Sequence, residues 1–122
     1  MSNIIEKPWG YYEDYFRGEN VVFKKIVIKP GHKISYQIHQ HREELWFIQS
    51  GMGLLKFSLD ANPMVNYTVK EMAPGENIQI PIGVAHQLIC HGEEDLVVFE
   101  MQFGPECSEN DIERIEDPYK RN

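Results

Sequence analysis

Turn punctuation constrains this chain more than any other property of its sequence. From Gly10 onward, short β-rich runs alternate with Gly, Pro and Asn. Tyr11 to Arg17 and Asn20 to Lys29 are two such runs, separated by a Gly-Glu turn, and the second stops at Pro30-Gly31. Lys33 to His41 and Leu45 to Ser50 follow, and Gly51 and Gly53 bracket the next turn. Leu54 to Leu59 and Val65 to Val69 flank a hairpin loop at Asp60-Ala61-Asn62-Pro63. Asn77 to Ile80, Gln87 to Cys90 and Leu96 to Phe103 complete the series. About nine short strands with turns at this spacing suit an all-β sandwich or barrel. Only the tail reads differently: Ser108 to Arg114 is expected to form a short helix, capped by Ser108 with Asp111 at the third position beyond. No linker, repeat or low-complexity segment interrupts residues 1–122, so one domain is expected.

Composition narrows the partners. The 122 residues are 42% hydrophobic and 25% charged, with a formal net charge of -7. Such an acidic balance argues against nucleic acid, although local Arg and Lys can still receive a small anion. No apolar run reaches membrane-spanning length, and MSNIIEKPWG lacks the apolar stretch of a signal peptide. Cys90 and Cys107 have neither metal-ligand spacing nor the pattern of a disulfide scaffold. A cytoplasmic protein without membrane association is the expectation.

Chemistry concentrates between Gly31 and Gly51, in GHKISYQIHQHREELWFIQSG. Gln37, His39, His41 and Glu44 fall within eight positions there. Imidazoles and carboxylates crowded onto strand positions are costly in a core and useful to a metal. Strand alternation puts Gln37, His39 and His41 on one face, whereas Glu44 has the opposite parity and joins them only if the chain bulges or turns near Arg42-Glu43. Leu45 to Ile48 are apolar on both faces, as in a strand covered on each side. His86 follows Pro81-Ile82-Gly83, a rigid turn able to deliver a side chain to a barrel mouth. Two imidazoles and a carboxylate, completed by the Gln37 amide or by His41, suit a divalent transition metal.

These intervals resemble those of the cupins. The first cupin motif runs Gly, five residues, a ligand, one residue, His, four residues, Glu, six residues, Gly, which Gly31, Gln37, His39, Glu44 and Gly51 meet. The second motif is met by Gly75, Pro81, Gly83 and His86, with Cys90 where Asn is usual. In this frame the ligands are Gln37, His39, Glu44 and His86, and His41 moves to a supporting or substrate-facing place. KPWGYYE, ISYQIHQHREELW, IPIGVAHQL and DIERIEDPYKR also resemble the C-terminal cupin domain of type II mannose-6-phosphate isomerase/mannose-1-phosphate guanylyltransferases. The nucleotidyltransferase domain of those proteins has no counterpart here. The chain departs from the family in reading HQHREELW rather than HHHRAEHW. Ala85 and Gln87 stand where a basic residue is common, and Lys120 replaces a Gly.

The resemblance implies a single-domain cupin, a double-stranded β-helix or jelly-roll barrel. It implies a divalent metal, with zinc foremost and manganese, iron, nickel or cobalt as alternatives. The activity implied is an aldose-ketose isomerase that interconverts mannose 6-phosphate and fructose 6-phosphate through an enediol, with Glu100 or His41 as general base and Arg114 in the catalytic set. Lys33, Arg42, Arg114 or Arg121 would hold the phosphate, and His41 would contact substrate. Two other readings stay open: a cupin enzyme for a nucleotide sugar or another small metabolite, and a non-catalytic metal-containing sugar-binding module. Cupin barrels commonly pair through an edge sheet, so a homodimer is expected, with the aromatic-rich N-terminal strand as donor. Trp9, Tyr11, Tyr12, Tyr15 and Phe16 are assigned to the core or that contact rather than to sugar stacking. His32 and His91 are assigned to solvated turns.

Overall fold

A computed structural model describes residues 3–120. Among them are eleven strands and no helix. In chain order these are β1 (Asn3–Lys7), β2 (Gly10–Arg17), β3 (Val21–Ile28), β4 (Tyr36–Ile38), β5 (Glu43–Ser50), β6 (Gly53–Ser58), β7 (Thr68–Met72), β8 (Asn77–Ile80), β9 (Ala85–Cys90), β10 (Leu96–Phe103) and β11 (Glu113–Glu116). They form a six-stranded sheet in the order β1-β2-β3-β10-β5-β8 and a five-stranded sheet in the order β11-β4-β9-β6-β7. Every pairing among these strands is antiparallel.

Alternation decides what enters the core. In β5 the buried series is Glu44, Trp46 and Ile48; in β10 it is Leu96, Val98, Glu100 and Gln102. These meet Leu55, Met72 and Leu88 of the opposite sheet, closing an apolar core at one end. Toward the other end the inward positions turn polar, with Glu44, His86, Glu100 and Gln102 all buried. Leu45 and Phe47 are 37% and 44% exposed, so β5 is covered on one face only, against the expectation from its apolar run. Apolar character marks both faces, but among the described residues no strand or loop buries the outer one.

The four motif glycines Gly31, Gly51, Gly75 and Gly83 have φ between 80° and 91°, a left-handed backbone that glycine adopts without a side-chain clash. At Gly51 the requirement is doubled, because a Cβ would run into the Asp95 carbonyl and come within 2.9 Å of the Leu96 Cα.

The tail is a strand, not a helix. The Ser108 hydroxyl accepts the Asn110 amide in a local turn (3.1 Å), and the Asp111 carboxylate is engaged by the amides of Gln40 and His41 (both 2.9 Å). The Asp111 carboxylate is thus used elsewhere, and a helix of seven residues has little stability of its own. Glu113–Glu116 instead pairs with β4 and covers an otherwise open sheet edge. A first strand, Asn3–Lys7, has no counterpart in the expected series; it pairs with β2 across the Pro8-Trp9 turn.

Candidate metal centre and pocket

Three separate segments meet at the polar end of the barrel. β4 ends at Ile38, and His39 to Arg42 carry the chain from the five-stranded sheet to the six-stranded one. That change of sheet, rather than a bulge within one strand, brings Glu44 back to the side of His39. β9 supplies His86, whose Cα pairs with that of Gln37 on β4. His39, Glu44 and His86 are all buried, and their ligand atoms lie within 4.8 Å of one another. His39 Nε2 stands 3.1 Å from Glu44 Oε2, and His86 Nε2 stands 3.6 Å from Glu44 Oε1.

Both imidazoles are oriented by backbone carbonyls. His39 Nδ1 donates to the Asp111 carbonyl (2.6 Å) and His86 Nδ1 to the Val84 carbonyl (2.9 Å). In the neutral rings this leaves both Nε2 lone pairs aimed toward Glu44, and His86 Nε2 is buried without a partner. Lone pairs facing a carboxylate repel unless a proton or cation lies between them. Separations of 3.1 and 3.6 Å are those of neighbouring donors around an ion with bonds of about 2.1 Å. The residues therefore fit a divalent metal. Gln37 lines the same space and is only half-buried.

Electrostatics follow from burial and neighbours. Burial resists ionisation of Glu44, but His39, His86 and Arg42 outweigh it and hold the carboxyl well below the usual range. Burial likewise disfavours charge on His39, and there Glu44 prevails and raises the pKa. Burial dominates at His86, which is pushed down to about 4 despite Glu44. Glu100 is driven the other way: burial, then the charge of Glu44, raises it to about 7, against the pull of Lys24 and Arg42. One indole ties the two carboxyls together, since Trp46 Nε1 donates to Glu100 Oε2 (2.8 Å) and Glu44 Oε1 (3.1 Å).

His39 and Glu44 of this cluster line a cavity of about 140 Å³. Its charged lining comprises Lys7, Lys24, Arg42 and Arg114 against Glu44, Glu100 and Glu109. Burial disfavours the Lys24 ammonium, yet Glu100 and Glu109 prevail and raise its pKa; it contacts Glu109 at 3.1 Å and lies 4.1 Å from the centre of the Tyr12 ring. Trp9 and Tyr12 also line the cavity, whereas Tyr15 and Phe16 are exposed on the outer surface.

Of the residues singled out in the sequence, Gln37, His39, Arg42, Glu44, Glu100 and Arg114 line this space, and buried His86 adjoins it. His41 does not: its side chain is 56% exposed, and its ring faces Asp111 at 3.3 Å. The group that orients His39 is the Asp111 carbonyl, not His41. Lys33 is also outside the lining, bridging to Ile89, and Arg121 lies outside the described residues. His32 is not simply solvated, because it stacks on Tyr119 and shares a 2.6 Å hydrogen bond with its hydroxyl. Lys7, Lys24, Trp9, Tyr12 and Glu109 were not found by sequence reasoning. Lys24 was readable in principle as an inward position of β3, alternating with Val22 and Ile26. Ala85 and Gln87, where a basic residue is common, are buried outside the cavity lining, and Gln87 Nε2 bonds the Ile34 carbonyl (2.9 Å).

A family model described as mannose-6-phosphate isomerase C-terminal matches residues 1–117. This chain belongs to that family. The mannose-1-phosphate guanylyltransferase ManC of Salmonella typhimurium is 35% identical over 121 residues, which cover 99% of this chain and 24% of that one. The alginate biosynthesis protein AlgA of Pseudomonas aeruginosa is 33% identical over 96% of this chain and 23% of its own length. The chain thus spans about a quarter of the curated relatives it matches. Among solved structures, the capsular polysaccharide assembling protein CapF of Staphylococcus aureus superposes with a TM-score of 0.79 at 18% identity, over 95% of this chain and 34% of that one. Oxalate decarboxylase of Bacillus subtilis gives 0.79 at 17%, over 93% and 30%. At those identities the likeness speaks for the cupin fold alone. Among the described residues, no helix is long and apolar enough to cross a membrane.

Proposed function

We propose that this cupin is a metal-dependent enzyme acting on a small phosphorylated sugar or nucleotide sugar of mannose metabolism. His39, Glu44 and His86 hold the ion, with Gln37 as the fourth protein donor. The observation that carries this reading is the buried, partnerless Nε2 of His86, facing a carboxylate in a cavity that also presents four cationic side chains. A divalent ion at these donors supplies Lewis acidity, polarising a carbonyl or hydroxyl oxygen of the sugar. The relatives' names supply the mannose chemistry, and Lys7, Lys24, Arg42 and Arg114 supply charge for a phosphate.

Glu100 favours one reaction type within this class. A carboxyl near neutrality at the cavity wall can both accept and return a proton at physiological pH. Moving a proton between adjacent sugar carbons, as in mannose 6-phosphate to fructose 6-phosphate, asks for such a group. Trp46 and Gln102 fix its two oxygens by hydrogen bonds of 2.8 and 2.5 Å, so the proton is handled at a defined place. The second reading is therefore aldose-ketose isomerisation with Glu100 as the base.

Metal content of the purified protein, thermal shift with mannose 6-phosphate, fructose 6-phosphate, mannose 1-phosphate and GDP-mannose, and a coupled isomerase assay test both readings. Bound metal that is lost in His39→Ala and His86→Ala, with stabilisation by at least one of these ligands, is expected. A protein that takes up no metal and is stabilised by none of them refutes the proposal. Turnover restricted to the isomerase assay and lost in Glu100→Gln upholds the second reading.

A further inference from the structure

Arg42 is a buried and heavily engaged cation. Its Nε donates to Glu44 Oε2 (3.0 Å), one terminal nitrogen reaches the same oxygen (3.0 Å), and the other donates to the Ser108 carbonyl (2.9 Å). The nitrogen that grips Glu44 also stands 3.2 Å from His39 Nε2. In the neutral ring that atom carries a single in-plane lone pair, because Nδ1 gives its proton to the Asp111 carbonyl. A guanidinium N–H and a metal ion therefore compete for one pair of electrons. They compete for Glu44 as well, so the side chain holds two of three metal donors and leaves His86 Nε2 with none.

We infer that Arg42 is a displaceable internal counter-cation of the metal centre, and that its release links metal binding to anion binding. The inference rests on the assignment of His39, Glu44 and His86 as metal ligands. With an ion on His39 Nε2, the Arg42 contact to that ring is lost and the attraction to Glu44 is shared with a dication. Arg42 already lines the cavity, as do Lys24, Arg114 and Glu109. Once freed from the donors it has a planar fork of N–H groups to offer a phosphate in that space. A phosphate that captures the fork removes the competitor from His39 and Glu44. Linkage then requires the effect to be reciprocal: metal strengthens phosphate binding by the same factor by which phosphate strengthens metal binding. A pocket built this way answers to both ligands together rather than to either alone.

The test is cobalt(II) binding to chelator-stripped protein, with free cobalt fixed by a chelator buffer and the ligand-field absorption as readout. It is run with and without millimolar inorganic phosphate on wild type and on Arg42→Met and Arg42→Lys. In wild type, phosphate is expected to tighten cobalt binding by about fivefold or more. Arg42→Met is expected to bind cobalt at least tenfold more tightly than wild type in the absence of phosphate, and to gain nothing from phosphate. Arg42→Lys, which keeps the charge without the fork, is expected between the two.

Cobalt affinity in wild type that ignores phosphate overturns the inference without reference to any variant, so poor folding of Arg42→Met does not shield it. A phosphate effect of equal size in Arg42→Met also overturns it, because phosphate then acts on the ion directly. Failure of the metal assignment looks different: no specific cobalt spectrum forms in any of the three proteins, and both conclusions fall together.

Discussion

Replacing Glu100 by Gln isolates the energetic cost of keeping a carboxyl between Trp46 and Gln102. Glu100 is buried, and burial and the Glu44 charge raise its pKa from 4.5 to about 7 in the folded protein. Between those two values the folded chain holds a proton that the unfolded chain has released. Wild-type stability attributable to this group therefore falls as pH rises through the window, and the full cost is present above about pH 8. The distance from 4.5 to about 7, at about 1.36 kcal/mol per pH unit, gives about 3 kcal/mol. The substituted amide keeps the shape, still accepts from the Trp46 indole, and, once the Gln102 amide turns over, donates to the Gln102 oxygen, which has no partner in the wild-type protein. Urea unfolding of both proteins in EDTA, from pH 4 to 8.5, measures the difference directly. Glu100→Gln should gain on wild type by about 3 kcal/mol between the two ends, with half of the change complete at about pH 6, midway between the two values. A difference that stays flat across this range refutes the argument that burial and Glu44 hold Glu100 protonated.

Trp46→Phe removes the one donor shared by Glu44 and Glu100, and should cost about 1–3 kcal/mol in urea unfolding, more than a well-fitting aromatic exchange elsewhere. Gly51→Ala forces a side chain onto a left-handed backbone and into the Asp95 carbonyl; a loss on the order of 2 kcal/mol or more is expected by thermal denaturation. Asp111→Asn weakens the hold on the Gln40 and His41 amides and should lower stability at neutral pH by about 1–2 kcal/mol. Burial opposes ionisation of Asp111, but those amides prevail and depress its pKa, so its stabilisation is present above pH 3.8 and is lost as pH falls further. The gap between Asp111→Asn and wild type should accordingly close in acid, which acid-dependent unfolding curves can follow.

Much of the barrel was legible because its turns are chemically marked. Asn77–Ile80 and Leu96–Phe103 agree residue for residue with their expected spans, and the three residues that the cupin spacing singles out, His39, Glu44 and His86, come within 4.8 Å of one another. Legibility failed where a residue's meaning is set by a distant partner. Ser108 and Asp111 carry a helix-start signal, but the amides of Gln40 and His41 out-compete the helix for the carboxylate. Lys33 to His41 looked like one long strand, yet only Tyr36–Ile38 pairs regularly, because the chain must leave the sheet to bring Glu44 round. His41 looked equivalent to His39 by alternation, and leaving the strand also breaks that alternation. Lys24 and Glu109 reach the pocket from opposite ends of the sequence, and nothing local in either segment announces their 3.1 Å contact.

The placement of the aromatic residues has an optical consequence. The chain has two tryptophans, Trp9 and Trp46, and both line the cavity. Trp46 also meets the His86 ring edge-on at 5.5 Å and directs its N–H at two carboxyls of opposed protonation tendency. All indole emission of this protein therefore originates in the wall of one pocket. A proton arriving at Glu100, an ion arriving at His86 or a sugar displacing water beside Trp9 changes the surroundings of an emitter directly. The unlabelled protein is its own fluorescent probe of occupancy, and Trp46→Phe leaves the signal of Trp9 alone.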